Sequence, residues 1–178
     1  MDLLTILRKL KEKEMEMRIL VVGLDNAGKT AILKRLTGED VSITTPTFGF
    51  NIKTLAYRGY TLNIWDVGSQ LMLRSYWRNY FEETNCVIWV VDSTYVENLL
   101  RILLTEERLI SSTLAILANK QDLGDAVSIQ TIHAALQLDK IRGNHWLCFP
   151  CSGLILDNLV EGIDWLVNDI ASHVFTLE

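Results

Sequence analysis

Residues 23–30 read G-L-D-N-A-G-K-T, which fits G-x-x-x-x-G-K-[ST]. They follow an apolar run, M-R-I-L-V-V-G-L at 17–24, and lead into a helical segment expected over 29–36. In that context Gly23 and Gly28 let the backbone curl, so that the N–H groups of Asp25, Asn26, Ala27, Gly28, Lys29, Thr30 and Ala31 face phosphate oxygens. Lys29 is placed to reach β- and γ-phosphates, and the Thr30 hydroxyl to bind Mg²⁺. The bland alternative is a chance match in a glycine-containing turn, and the strand before and helix after argue against it. The pattern points to a nucleoside triphosphate.

Working outward, strands are expected over 17–24, 48–57, 60–66, 86–92, 113–118 and 146–150. Helices are expected over 29–36, 71–80, 95–108, 128–137 and 157–174. Near-continuous apolar strands between helices imply an α/β fold with a mainly parallel six-stranded sheet, covered by helices on both faces. Arg58-Gly59 separates 48–57 from 60–66 as a hairpin, giving one antiparallel edge strand. Before the sheet, Leu3, Leu4, Ile6, Leu7 and Leu10 lie on one helical face, with Arg8, Lys9, Lys11, Glu12 and Lys13 around the rest. An amphipathic helix is therefore expected over 1–16, ahead of one domain at 17–178. It either docks on the body or seeks a membrane or partner, and the sequence does not choose.

With 178 residues and a net charge of −5, the chain is one domain's length and carries no general basic surface for nucleic acid. Three cysteines form no even framework, and the first 17 residues lack a compact apolar block followed by a cleavage site. Both observations lead us to expect a cytoplasmic protein in a reducing compartment.

The base is indicated by N-K-Q-D at 119–122, closing the strand at 113–118. A carboxylate at Asp122 accepts from guanine N1–H and its 2-amino group. Adenine offers neither and would leave the acid unpaired, at about 1–3 kcal/mol. Asn119 is placed to bridge base and phosphate loop, and the Lys120 stem to cover the ring. Cys151, Ser152 and Gly153 are expected to offer backbone N–H groups to the guanine O6. GTP or GDP is thus favoured over ATP.

These motifs, with P-T-F-G-F at 46–50 and W-D-V-G-S-Q at 65–70 in this order, resemble the Arf/Arf-like branch of Ras-related small GTPases. The resemblance runs from the N-terminal helix to the last helix and implies the P-loop small-GTPase fold. It implies further that Thr47 closes over Mg²⁺ and the γ-phosphate, that Asp66 holds Mg²⁺ through a water, and that Gln70 orients the attacking water, with Lys29 the other catalytic group. Phe50, Trp65 and Tyr80 match an aromatic cluster shown to effectors, with ordinary core packing as the plainer reading. The hairpin over 48–66 matches an interswitch that slides along the sheet and evicts the N-terminal helix when GTP binds. Slow hydrolysis is implied, with an arginine supplied by a GTPase-activating protein. Other implied partners are carriers of lipid-modified cargo and tubulin-folding cofactors, acting on a monomer with at most weak peripheral membrane contact.

Three departures stand out. Asp2 replaces the glycine of myristoylated relatives, which excludes that modification if Met1 is the native start. The stretch between Asp92 and Asn119 is shorter than in relatives by roughly six residues, or about 120° of helical face. The helix near 95–108 must therefore shorten, re-aim or loop out, as a harmless deletion or a destabilising one. Ser69 stands where the D-x-x-G-Q pattern has glycine, at the γ-phosphate sensor. Its Cβ restricts the backbone and crowds the phosphate unless its hydroxyl compensates.

Two rivals follow: a guanine-nucleotide-binding adaptor impaired in switching or hydrolysis by Ser69, and a P-loop nucleoside kinase, against which N-K-Q-D speaks. C-F-P-C at 148–151 is read as core or loop cysteines, since odd spacing sends the two thiols to opposite faces and no second pair completes a zinc site with His145. His133 and His173 receive no catalytic role.

Overall fold

The computed structural model describes residues 15–69 and 80–174. Six strands form one sheet: β1 (Glu16–Gly23), β2 (Phe50–Tyr57), β3 (Tyr60–Val67), β4 (Cys86–Asp92), β5 (Thr113–Asn119) and β6 (Trp146–Pro150). Their spatial order is β2-β3-β1-β4-β5-β6. Every pairing is parallel except β2 with β3. The hairpin turns at Arg58 and Gly59, both at positive φ (49° and 82°), the geometry that matches the right-handed twist of a two-residue connection.

Alternation along the strands divides the core in two. Ile19, Val21, Ile64, Ile88 and Leu117 face α1 (Lys29–Leu36) and α4 (Leu159–Val174). Leu20, Val22, Val87, Trp89 and Ile116 face the other side, under α2 (Leu100–Leu104) and α3 (Ile129–Leu136). A strand buried on both faces has no polar side to alternate with, which explains the continuous apolar runs.

The helix expected over 95–108 is reduced to the five residues of α2 plus a 3-10 turn at Glu107–Leu109. Leu100, Leu103 and Leu109 are buried and close the sheet face. Three leucine anchors thus satisfy the core with little more than a helical turn, and the residues before Leu100 run as irregular chain. The other bounds differ by at most two residues, with β2 beginning at Phe50 rather than 48. Ser128 caps α3 by accepting from the Thr131 N–H at 3.2 Å. Glu16 belongs to β1, while the remainder of the expected N-terminal helix, apart from Met15, lies outside the described residues. So do Gln70 and the helix expected over 71–80, except Tyr80. No helix among the described residues is long and apolar enough to cross a membrane.

Candidate nucleotide site

A cleft of about 450 Å³ opens at the carboxyl ends of the parallel strands. Its wall includes Asp25, Asn26, Gly28, Lys29, Thr30 and Ala31 from the loop after β1. Thr47, Ser69, Asn119, Lys120, Asp122 and Gly153 also line it. One crevice thus collects most of the residues singled out in sequence. Gly23, Ala27, Asp66, Cys151 and Ser152 stand behind that lining.

Gly28 precedes α1 at φ +95°, and a Cβ there would meet Asn119 Nδ2 at 2.3 Å. Only glycine permits both the backbone geometry and that approach. The approach has a purpose. Buried Asn119 donates from Nδ2 to the Ala27 carbonyl at 2.8 Å and accepts at Oδ1 from the Gly153 N–H at 2.9 Å. One side chain ties the phosphate loop to the loop after β6. Lys29, also buried, folds its ammonium over the loop, with Nζ 2.9 Å from the Leu24 carbonyl and 3.3 Å from that of Gly23.

Lys120, at φ +66°, forms an ion pair with Asp92 at 2.6 Å. Burial pushes the Asp92 carboxyl up, but hydrogen bonds from Lys120 and Thr94 outweigh it and hold the group below its ordinary range.

The backbone N–H groups of residues 151–153, expected to face guanine O6, each have a partner within the protein. The Cys151 N–H donates to Ala118 O at 2.9 Å, Ser152 N–H to Asp157 O at 3.3 Å and Gly153 N–H to Asn119 Oδ1. The Cys151 bond extends the β5–β6 pairing, while the other two N–H groups turn to a loop carbonyl and to the Asn119 side chain. The triplet also supplies orientation: Ser152 Oγ donates to Asp122 Oδ1 at 2.6 Å. Sequence reasoning missed that role, since nothing in a C-S-G string shows that its hydroxyl reaches residue 122.

On the phosphate side, three oxygen groups converge from separate segments. Thr30 Oγ1 donates to Asp66 Oδ2 at 2.8 Å, Thr47 Oγ1 lies 3.2 Å from the same oxygen, and the two threonine oxygens are 2.9 Å apart. Asp66 is fully buried, and its Oδ1 has no hydrogen-bond partner. An orphaned carboxylate oxygen inside an all-oxygen set fits a hard divalent cation such as Mg²⁺. Ser69 is 5% exposed and its Oγ lies 3.3 Å from Asp25 Oδ1. The hydroxyl therefore reaches across to the phosphate loop, which a glycine cannot do. No arginine lines the cleft among the described residues.

Beyond the cleft, Phe50, Trp65 and Tyr80 pack together with ring centroids 5.4–6.1 Å apart. The Arg18 guanidinium lies over Trp65 at 4.3 Å. Phe50 is nevertheless 48% exposed, so the cluster is both packed and presented to solvent. Cys148 packs on one core and Cys151 on the other. Burial pushes both thiols up to about 12. Opposite faces and protonated thiols leave no C-x-x-C chemistry.

Comparison with known proteins places this geometry in context. Residues 3–170 match the ADP-ribosylation factor family. The chain is 53% identical to ADP-ribosylation factor-like protein 2 of Arabidopsis thaliana and, at the same identity, to that of Drosophila melanogaster, each alignment covering 100% of both chains. The Dictyostelium discoideum protein of that name is 50% identical, again over both full lengths. The Arabidopsis alignment spans 185 positions for a 178-residue chain, so the relative carries residues that this one lacks. Among solved structures, the Arl6 BBS3 small GTPase from Trypanosoma brucei, with bound nucleotide analogue GppNp, superposes with a TM-score of 0.79 at 24% identity. That match covers 88% of this chain and 98% of the other, and it supports the fold. With the phosphate loop, the 119–122 loop and this full-length similarity together, the chain belongs to the ADP-ribosylation factor family of small GTPases, in its Arf-like branch.

Proposed function

We propose that this chain is a GDP/GTP switch that holds the nucleotide with Mg²⁺ in the cleft and hydrolyses GTP slowly. The observation that carries the reading is the convergence of Thr30, Thr47 and Asp66, with the buried, unpartnered Asp66 Oδ1, beside a phosphate loop stapled to the base loop by Asn119. Thr30 would hold Mg²⁺ directly, Thr47 would close over it, and Asp66 would bind through a water. Held there, Mg²⁺ would supply positive charge against the phosphates. Lys29 swings from its carbonyls to those phosphates, Asp122 accepts from guanine with Ser152 fixing its carboxylate, and the Lys120 stem covers the ring. Gln70 orients a water for in-line attack on the γ-phosphorus. The bond to the β-phosphate oxygen breaks, and GDP and phosphate leave.

With no arginine in the described wall, a GTPase-activating protein supplies one, worth about 10³–10⁵ in rate. Phe50, Trp65 and Tyr80 form the face read by effectors, with carriers of lipidated cargo and tubulin-folding cofactors as the partners to test. We place the protein in the cytoplasm as a monomer. The switch moves the β2–β3 hairpin along β1. Such a slide must run in even steps, because a one-residue shift would turn Leu62 and Ile64 out of the core.

A second reading rests on Ser69. Its contact with Asp25 and its near-complete burial favour an adaptor held mostly with GDP, because a Cβ crowds the γ-phosphate position. Analysis of the nucleotide carried by purified protein, then single-turnover hydrolysis by the native chain and Ser69→Gly, separates the two. Equal rates remove the argument from Ser69. Absence of bound or exchangeable guanine nucleotide removes the switch itself. Pull-down with GDP- and GTP-analogue-loaded protein tests the effector face, and indifference to the nucleotide counts against it.

A further inference from the structure

At the opposite end of the parallel strands from the cleft, three elements meet around one carboxylate. Asp169 projects from α4, His173 follows it by one helical turn, and His145 immediately precedes β6. Asp169 Oδ1 lies 3.3 Å from His145 Nδ1 and 3.7 Å from His173 Nδ1. The two rings meet edge to face with centroids 3.9 Å apart. One ligand atom from each residue falls within 4.8 Å of the others, the one such grouping of three among the described residues.

We propose that His145, Asp169 and His173 bind a zinc ion. A tetrahedral zinc with ligands at about 2.0–2.1 Å needs donor atoms ~3.3 Å apart, and the two carboxylate–imidazole distances are close to that. The donor set is the kind zinc selects, two imidazoles and a carboxylate, whereas magnesium prefers oxygen alone. The oxygen set at Thr30, Thr47 and Asp66 is therefore chemically distinct from this one.

Support beneath the ligands is present. Asp169 is only 13% exposed, and its second oxygen accepts from Thr113 Oγ1 at 2.6 Å, which fixes the plane of the carboxylate from β5. His173 Nδ1 also lies 2.8 Å from the Asp169 carbonyl oxygen and 3.0 Å from Ser172 Oγ, so zinc bound through that nitrogen takes the place of an N–H···O=C bond. The histidines themselves are open, with side chains 59% and 47% exposed, so an ion can enter and a water can fill the fourth position. A bound zinc would clasp the end of α4 to the start of β6.

The test titrates zinc into the full GDP·Mg²⁺-loaded chain against a chromogenic zinc indicator. It is repeated for His145→Gln and His173→Gln, with GDP affinity measured in each as a check on folding. The expected result is one equivalent of zinc, at least tenfold weaker binding in either variant, perturbed ring signals of both histidines in NMR, and a raised melting temperature in the native chain only. Magnesium should reproduce none of it. The cysteines offer little competition, since their thiols stay protonated near neutral pH. Absence of stoichiometric zinc overturns the proposal. So does undiminished binding in both variants, which would place the ion at the nucleotide site or on the cysteines.

Discussion

On the base side of the cleft, Asn119 joins the phosphate loop to residue 153, Ser152 holds Asp122, and Lys120 is paired with Asp92. On the phosphate side, Asp25 and Thr30, Thr47, and Asp66 and Ser69 meet from three segments through hydroxyl and carboxylate groups alone. The first arrangement is bonded before a ligand arrives. The second gathers groups whose best partner, a cation or a phosphate, is not protein. A recognition surface gains by being preorganised, while a sensor needs contacts that a single phosphate can replace.

The largest expected effect is on the phosphate side. Lys29→Ala removes the one buried ammonium beside the loop and should weaken GDP by at least about a hundredfold, roughly 3 kcal/mol, in a fluorescent-nucleotide displacement assay. The melting temperature of the nucleotide-free protein should change much less. If both fall together, Lys29 is structural and the contrast between the two sides is wrong.

Asn119→Ala should do the reverse. It strands the Ala27 carbonyl and the Gly153 N–H, costing about 2–4 kcal/mol of stability, or about 5–15 °C in Tm, even without nucleotide. A melt of the stripped protein checks this. An unchanged Tm would mean that the base side is not prebuilt.

A smaller effect sharpens the role of Ser69. Ser69→Gly should raise the preference for a GTP analogue over GDP by about tenfold, near 1.4 kcal/mol. Ser69→Ala, which keeps the Cβ and loses the contact with Asp25, should recover little of that. Recovery by alanine instead would shift the cause from crowding to the hydroxyl.

The smallest effect concerns Cys148 in β6 and Cys151 just after it. With thiols held near 12, alkylation at pH 8 should be negligible in the native protein and rapid after denaturation. The unfolded chain loses these protons first, from about pH 9. Their contribution is therefore present below that pH and declines as pH rises toward 12. Stability independent of pH over that range would argue against two dry thiols.

Much of this was legible in the chain before any coordinates. Gly28 and Lys29 announce a phosphate loop because backbone curl and charge are local requirements, and Arg58-Gly59 announces a hairpin for the same reason. The strand bounds follow from apolar runs long enough to be unambiguous. What escaped depends on distance through space. The leucines at 99, 100, 103 and 104 suggest a helix but not its length, which the core ends once Leu100, Leu103 and Leu109 are seated. Nothing in the C-S-G string shows that the Ser152 hydroxyl reaches Asp122, thirty residues earlier. His145 stands beside the cysteines in sequence, but its partners are 24 and 28 residues further on.

The sheet order bears on how the molecule comes to be made. β1 is the first described strand, yet it lies at the centre, flanked by β3 and β4. As the chain emerges from a ribosome, β1 must wait with both edges open until Thr61 and Cys86 have followed it out. Its only local company is the β2–β3 hairpin, the one pairing that closes within a few residues. Long crossovers delay every other pairing, so folding should be slow for a chain of this size, with an exposed apolar strand present in the interval. Escort by a chaperone during synthesis, or early capture of guanine nucleotide by the loop after β1, would shorten that exposure.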